Sequence, residues 1–440
     1  MSKLPVAAGV VAAAALVAGF LLLPGDDDGP RRAARERLPL SPTRPSVLVD
    51  ARGAVLEELA GDCAGSRYPY LCARVRDELR AADERLLTLG GLTIRTAIDP
   101  AVQRAAQEAV ERRVGHDDRH VAAEAMIVPG TGEIRALAAS RPSSDGYAYQ
   151  QGSTAMVYPL AAALEKGLRF EDGYPYAGSY RAPGYAAFKN CDGHPVADPA
   201  VTIVNQPPRD HGRFTTLRGG TLAAENVFFL RLTERTGLCE TVTMARRLGL
   251  ARADGKPLRE YETFVLGVNE VEPVSVATTY ATLAARGRRC EPRAVTEVVS
   301  GDRALAAFPP RCEQALAPEV ADAVTHVLAG ALENGPLKGL DGRDAAGMQG
   351  TADSFVSAGY AGYTPGLAAA VALGLPGTQA HRHRLRDVTL AGRHYDSVDG
   401  HAVPGPIWKQ SMTAALAGLP ATPFTAPDAD RFGGCRTACP

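Results

Sequence analysis

The chain has 440 residues, 45 % of them hydrophobic and 22 % charged, with a formal net charge of −1 at pH 7. That length allows two or three domains, and the composition is ordinary for a globular protein. A charge this close to zero excludes the basic footprint of a nucleic-acid binder, so no nucleic-acid partner is expected.

The first element is apolar. Leu4 to Pro24 carries no charge and is rich in Ala, Val and Leu, and roughly 20 such residues span a bilayer. Lys3 precedes it and Asp26, Asp27 and Asp28 follow, which keeps a short cationic tail inside and exports the rest. A cleaved signal peptide is the other reading. The run exceeds the roughly 7–15 apolar residues of such a peptide, and no clear small-residue cleavage site follows. A retained single-pass anchor in the plasma membrane, with the large domain extracytoplasmic, is therefore expected. Arg31, Arg32, Arg35 and Arg37 lie on the exported side, but large domains translocate largely regardless of such charges. Residues 1–25 are thus tail and transmembrane anchor, and residues 26–67 a linker with a short N-terminal segment.

Eight cysteines in an exported chain predict disulfides. Proximity in sequence pairs Cys63 with Cys72, Cys191 with Cys239, Cys290 with Cys312, and Cys435 with Cys439, although other connectivities stay open. The spacing of Cys435 and Cys439 also suits a metal, but no histidine cluster adjoins them, and bridging is the expectation.

Ser46 to Leu56 reads as a short strand pair about Asp50-Ala51-Arg52-Gly53. Tyr68-Pro69-Tyr70 precedes a charged helix, Val75 to Leu86. Leu92 to Ile98 alternates like a strand, and Asp99-Pro100 caps a helix with Val102, Ala105, Ala106, Ala109 and Val110 on one face. Ala123 to Val128, Pro129-Gly130-Thr131-Gly132 and Ile134 to Ala139 form a predicted hairpin.

Three later stretches carry chemistry. Gly152-Ser153-Thr154-Ala155-Met156 leads into an apolar run of helical spacing, Val157 to Gly167. Ser153 then sits at a helix start, where unpaired N–H groups and the dipole favour developing negative charge. This suits a nucleophile, and equally an N-cap serine. One turn on, on the same face, stands Met156, whose thioether cannot take a proton. Second, Thr216 to Ala223 leads into Ala224-Glu225-Asn226, with Glu225 read as a solvated loop carboxylate. Third, Gly347-Met348-Gln349-Gly350-Thr351 precedes an apolar strand, Leu367 to Leu375. Gly350 would permit close backbone approach to a ligand. His381, His383, His394 and His401 match no common zinc spacing and are interleaved with Arg382, Arg384 and Arg393. No metal and no cofactor are expected.

The first stretch resembles the active-site helix of the penicillin-binding proteins, S-x-x-K. Tyr68-Pro69-Tyr70 through Gly90 to Pro100 resembles the entry to the transpeptidase domain of the bifunctional members, and Pro406-Ile407-Trp408 resembles the family's closing segment. The resemblance covers about Ser46 to Met412. It implies an α+β fold: an antiparallel sheet covered by helices, beside an all-helical subdomain carrying the serine. That domain would occupy residues 68–420, with a C-terminal tail at 421–440. The glycosyltransferase domain that precedes it in bifunctional members does not fit between the anchor and Tyr68.

The resemblance also implies roles. Ser153 takes the nucleophile position, and Met156 replaces the lysine base. In the S-x-N element, Ala224 replaces the serine that relays a proton, while Asn226, which would bind the substrate amide, remains. In the K-T-G element, Met348 replaces the lysine and Gln349 the threonine, while Gly350 and Thr351 persist. The N–H groups of Ser153 and Thr351 would form the oxyanion hole. Asn226, Gln349, Gly350 and Thr351 are the substrate-binding candidates. Losing each proton-handling group costs on the order of 100- to 10,000-fold. A pseudoenzyme is therefore expected, acting by binding peptidoglycan peptides or cell-wall synthesis proteins. The alternative is an active serine D,D-transpeptidase or carboxypeptidase that binds penicillin through Ser153 with a non-standard base.

Overall fold

The structure, a computed structural model, describes residues 44–59, 61–205, 212–377 and 383–440. The expected anchor lies outside the described residues. Among those described, no helix is long and apolar enough to cross a membrane. Residues 41–440 form one compact unit.

The body is α+β and centres on a five-stranded sheet, antiparallel throughout. Its order is Ala346–Thr351, Ser357–Thr364, Leu367–Gly374, Val121–Ile127 and Ile134–Ala139. All seven residues of Val121–Ile127 are buried. Strand alternation explains the continuous apolar run, because both faces are covered. Ala123, Ala125 and Ile127 enter the larger core, and Ala122 and Met126 enter a second one. On the second face, helices Pro100–Glu111 and Pro404–Leu416 pack down through Ala106, Val110, Ile407, Trp408 and Met412. Trp408 Nε1 donates to Gly362 O at 3.1 Å. The first of these helices starts as its sequence predicts. Asp99 Oδ1 accepts from the N–H groups of Ala101 and Val102, at 2.8 and 3.2 Å, with Pro100 in the first turn. The larger core holds Pro273–Ala284, Pro318–Glu333 and the serine-bearing half.

A second five-stranded sheet joins Val47–Val49 and Val55–Glu58 to Thr93–Thr96, Val295–Ser300 and Arg303–Ala307. The predicted strand pair is present, turned by Asp50, whose Oδ1 accepts from Arg52 N and Ala54 N. Val47–Val49 and Thr93–Thr96 run parallel, so this second sheet is mixed. The helix after Tyr68 begins at Pro69 rather than Val75 and ends at Ala82. Proline is tolerated in the first turn, where its missing N–H costs nothing.

One further correction concerns architecture. The serine-bearing half is not all-helical: Gly173–Pro175 pairs with Phe214–Thr216, and Ser179–Tyr180 with Ile203–Val204. These pairs tie down a Pro- and Gly-rich excursion that cannot hold a helix. Within the last twenty residues, Phe432 and residues 435–438 pack onto the body. Phe432 is fully buried, Gly173 N donates to Ala438 O, and Asp172 Oδ1 accepts from Arg436, Thr437 and Ala438 N–H groups. These bonds hold the Asp172 carboxyl below its usual range against the opposing, largest effect of burial.

All four expected disulfides are present: Cys63–Cys72, Cys191–Cys239, Cys290–Cys312 and Cys435–Cys439.

Candidate functional site

Ser153 lies in a tight 3₁₀ turn, Gly152–Met156, that runs on into helix Val157–Glu165. Its hydroxyl caps neither segment and forms no hydrogen bond among the described residues, so the capping explanation for this serine falls away. The neighbouring polar atoms are committed elsewhere. Thr154 Oγ1 donates to Gln151 O at 2.9 Å, and Tyr280 Oη donates to Thr154 O at 3.1 Å. Tyr158 Oη lies 3.2 Å from Thr279 Oγ1 and 3.4 Å from Gln151 Oε1. Burial pushes the Tyr158 and Tyr280 phenols up, so both stay protonated at neutral pH. Met156 has 0 % exposure and belongs to the larger core, with Ala155, Val157 and Tyr158.

The strand Ala346–Thr351 is the sheet's edge and packs against the serine turn. Met348, opposite Ala361, faces the larger core and is buried. Gly350 follows on that face, and a side chain there would strike the Gln151 carbonyl. From the other direction, Gly152 adopts φ +60°, and a Cβ on it would lie 2.6 Å from Thr351 N. Turn and strand therefore meet backbone to backbone, and only glycine fits either position. This contact brings Ser153 and Thr351 to neighbouring places. Gln349 and Thr351 point to the opposite face. There Thr351 Oγ1 donates to Gln349 Oε1 at 2.9 Å and accepts from Gly400 N at 3.2 Å.

Helix Leu217–Ala223, capped by Thr216 Oγ1 accepting from Gly219 N, stops at Ala224 in a left-handed conformation, φ 51°. Glu225 is buried at 4 % exposure and accepts from Thr215 Oγ1 at 3.3 Å. This corrects the expectation of a solvated carboxylate, because strand Phe214–Thr216 folds back over it. Asn226 opens helix Asn226–Thr236, and its Nδ2 donates to Val204 O at 3.1 Å. No hydrogen bond links Asn226 to Ser153 among the described residues. The turn Glu262–Leu266 packs against both the serine turn and this helix, and Gln151 N donates to Gly267 O at 3.1 Å.

The arrangement presents a hydroxyl, two backbone segments and neutral amides. Positions 156 and 348 supply thioethers, so neither offers a base or a cation. The histidines disperse: His383 Nδ1 lies 2.9 Å from Arg119 Nη1, and His394 Nε2 lies 3.4 Å from Asp396 Oδ1. His401 stacks near Tyr360, and His381 lies outside the described residues. The one clustered set of metal-type ligands among the described residues, Asp172, Cys435 and Cys439, contains a closed disulfide. Sequence reasoning missed the Thr351–Gly400 bond and the Gly152–Thr351 approach. The Gly-Ser step hints at the second, and nothing local hints at the first.

No protein-family model matches the chain. Penicillin-binding protein 1A of Mycobacterium tuberculosis is 29 % identical over 379 residues, covering 80 % of this chain and 43 % of that protein. Its counterpart in Mycolicibacterium smegmatis is 28 % identical, covering 78 % and 44 %. The chain thus spans less than half the length of these relatives. Among solved structures, the penicillin-binding protein PonA1 from Mycobacterium tuberculosis superposes with TM-score 0.68 at 26 % identity, covering 84 % of this chain and 96 % of that one. PonA1 in complex with penicillin V gives TM-score 0.63 at 26 % identity, covering 81 % and 95 %.

Proposed function

We infer that this chain, a homologue of the penicillin-binding proteins with the fold of their transpeptidase domains, binds peptidoglycan peptides and does not acylate on Ser153. The observation that carries this reading is the surroundings of the hydroxyl. Ser153 Oγ has no hydrogen-bonded partner among the described residues, and the group one turn on is the fully buried thioether of Met156. An alcohol attacks a carbonyl only when a base removes its proton, and no base bonds the Ser153 hydroxyl among the described residues. Ala224 offers no hydroxyl to relay a proton, and Met348 offers no cation to draw a carboxylate. The glycine contacts that shape a cleft persist at Gly152 and Gly350. Asn226, Gln349, Gly350 and Thr351 are assigned to peptide contacts. Leu4 to Pro24 is assigned as the membrane anchor that places this domain against the wall.

The test is calorimetric titration with an acyl-D-alanyl-D-alanine peptide, with mass analysis of the recovered ligand. The peptide should bind, return intact, and bind Ser153→Ala about equally. Cleavage by the wild type and not by Ser153→Ala contradicts the reading and installs the active-enzyme alternative. Absence of any binding contradicts it as well.

A further inference from the structure

The edge strand ends at Thr351 and turns through Ala352–Val356 into the next strand. Ala352 N donates to Ser357 O at 3.0 Å, and Phe355 N donates to Ala352 O at 3.0 Å. Inside this turn two consecutive non-glycine residues are left-handed, Ser354 at φ 56° and Phe355 at φ 63°. For a residue as bulky as phenylalanine this is a genuine outlier. Such strain persists only where the surroundings over-determine it.

The surroundings are a hairpin, Arg386–Leu390 and Arg393–Ser397. The Arg386 guanidinium lies 4.3 Å from the centroid of the Phe355 ring. Leu385 N donates to Phe355 O at 2.7 Å, and Val398 N donates to Leu385 O at 2.9 Å, closing the hairpin's stem. Two residues on, Gly400 N donates to Thr351 Oγ1 at 3.2 Å. The two stems thus grip the turn at Phe355 and the strand at Thr351, and Gly152 abuts Thr351 from the other side. An exposed cation on a ring gains less than two left-handed residues cost. The clasp is therefore poorly explained as a stabilising device. What it fixes is geometry.

We propose that Arg386 is a positioning residue: through its stack on Phe355 it holds the strained turn after the edge strand, and so sets the backbone of Thr351 beside Ser153. The functional meaning of that placement rests on the peptide-binding reading, in which Thr351 contacts ligand.

The experiment compares amide hydrogen exchange and thermal midpoints of the full chain in wild type, Arg386→Ala, Arg386→Lys and Ser354→Gly. Exchange is read at Ala352 and Gly400, whose amides donate to Ser357 O and to Thr351 Oγ1. In Arg386→Ala both amides should exchange about tenfold faster while the midpoint stays within about 2 °C of wild type. Arg386→Lys, which keeps a cation for the ring, should restore much of the protection. Ser354→Gly should raise the midpoint, by about 1–2 °C, yet speed exchange at Ala352, because glycine relieves the strain and frees the turn. Unchanged exchange in Arg386→Ala, or a lower midpoint in Ser354→Gly, overturns the proposal. Affinity for the acyl-D-alanyl-D-alanine peptide is measured in parallel. A wild type that fails to bind it removes the peptide-binding reading and leaves the exchange comparison to decide the positioning role.

Discussion

The central sheet has two faces: one meets buried methionines at positions 156 and 348, the other carries a buried carboxyl. On the face toward the larger core, positions 156 and 348 carry methionines buried among apolar side chains. On the face toward the second core, strand Val121–Ile127 carries Glu124 with 0 % exposure. Burial, its main influence, pushes that carboxyl up to about 8, against a smaller opposing effect of Ser411. The geometry agrees. Ser411 Oγ lies 2.5 Å from Glu124 Oε1 and 3.0 Å from Trp408 O. The Ser411 hydroxyl donates to the carboxyl, and this bond is the effect that opposes burial. The other carboxyl oxygen has no partner among the described residues. The lesson is that this fold tolerates a buried ionisable group when it can be neutral and bonded. Beside the serine turn, positions 156 and 348 hold buried thioethers instead.

The comparison can be broken from either side. The largest expected effect is that of Met156→Lys. An amine placed in a fully buried apolar site should cost about 3–4 kcal/mol at pH 5. Burial depresses its pKa, so the loss should shrink as pH rises toward that of a free amine, about 10. Denaturant unfolding at several pH values measures this, and a loss that grows with pH would show the amine to be paired and charged. Next comes Glu124→Gln. Because the folded-state pKa is raised, from 4.5 to about 8, the wild type should be most stable below the unfolded pKa. It should lose stability as pH rises through the folded one. At pH 7 the loss is on the order of 3 kcal/mol, and glutamine, whose side-chain oxygen can still accept from Ser411, should abolish that slope. A wild type whose stability does not fall between pH 5 and 8 would show that Glu124 is not held neutral. The smallest effect is that of Ser411→Ala, which removes the link between Glu124 and Trp408. It should cost about 1–2 kcal/mol at pH 6, with the midpoint of the pH slope moved upward. An unmoved midpoint would mean that burial alone sets the Glu124 titration.

Much of the framework was legible in the chain. The Asp99-Pro100 cap, the alternation of Leu92 to Ile98 and the local cysteine pairs are short-range signals, and the structure carries all of them. What escaped depends on partners distant in sequence. Glu225 reads as polar and solvated until Phe214–Thr216 covers it. The parallel pairing of Val47–Val49 with Thr93–Thr96 joins strands more than forty residues apart. The all-helical half came from the resemblance, and the short strand pairs around Ser153 are too brief to show the period-two alternation that would have corrected it. At the site, the identity of Met156 is plain from the sequence, whereas the approach of Gly152 to Thr351 is a tertiary contact with no local signature.

The most direct test is intact mass spectrometry after incubation with a β-lactam. Wild type should show no adduct at Ser153. The triple variant Met156→Lys, Ala224→Ser, Met348→Lys should gain measurable acylation. Each single change should fall well below it, and Ser153→Ala in the triple background should abolish it. A stoichiometric adduct on the unmodified protein, absent in Ser153→Ala, would contradict the account.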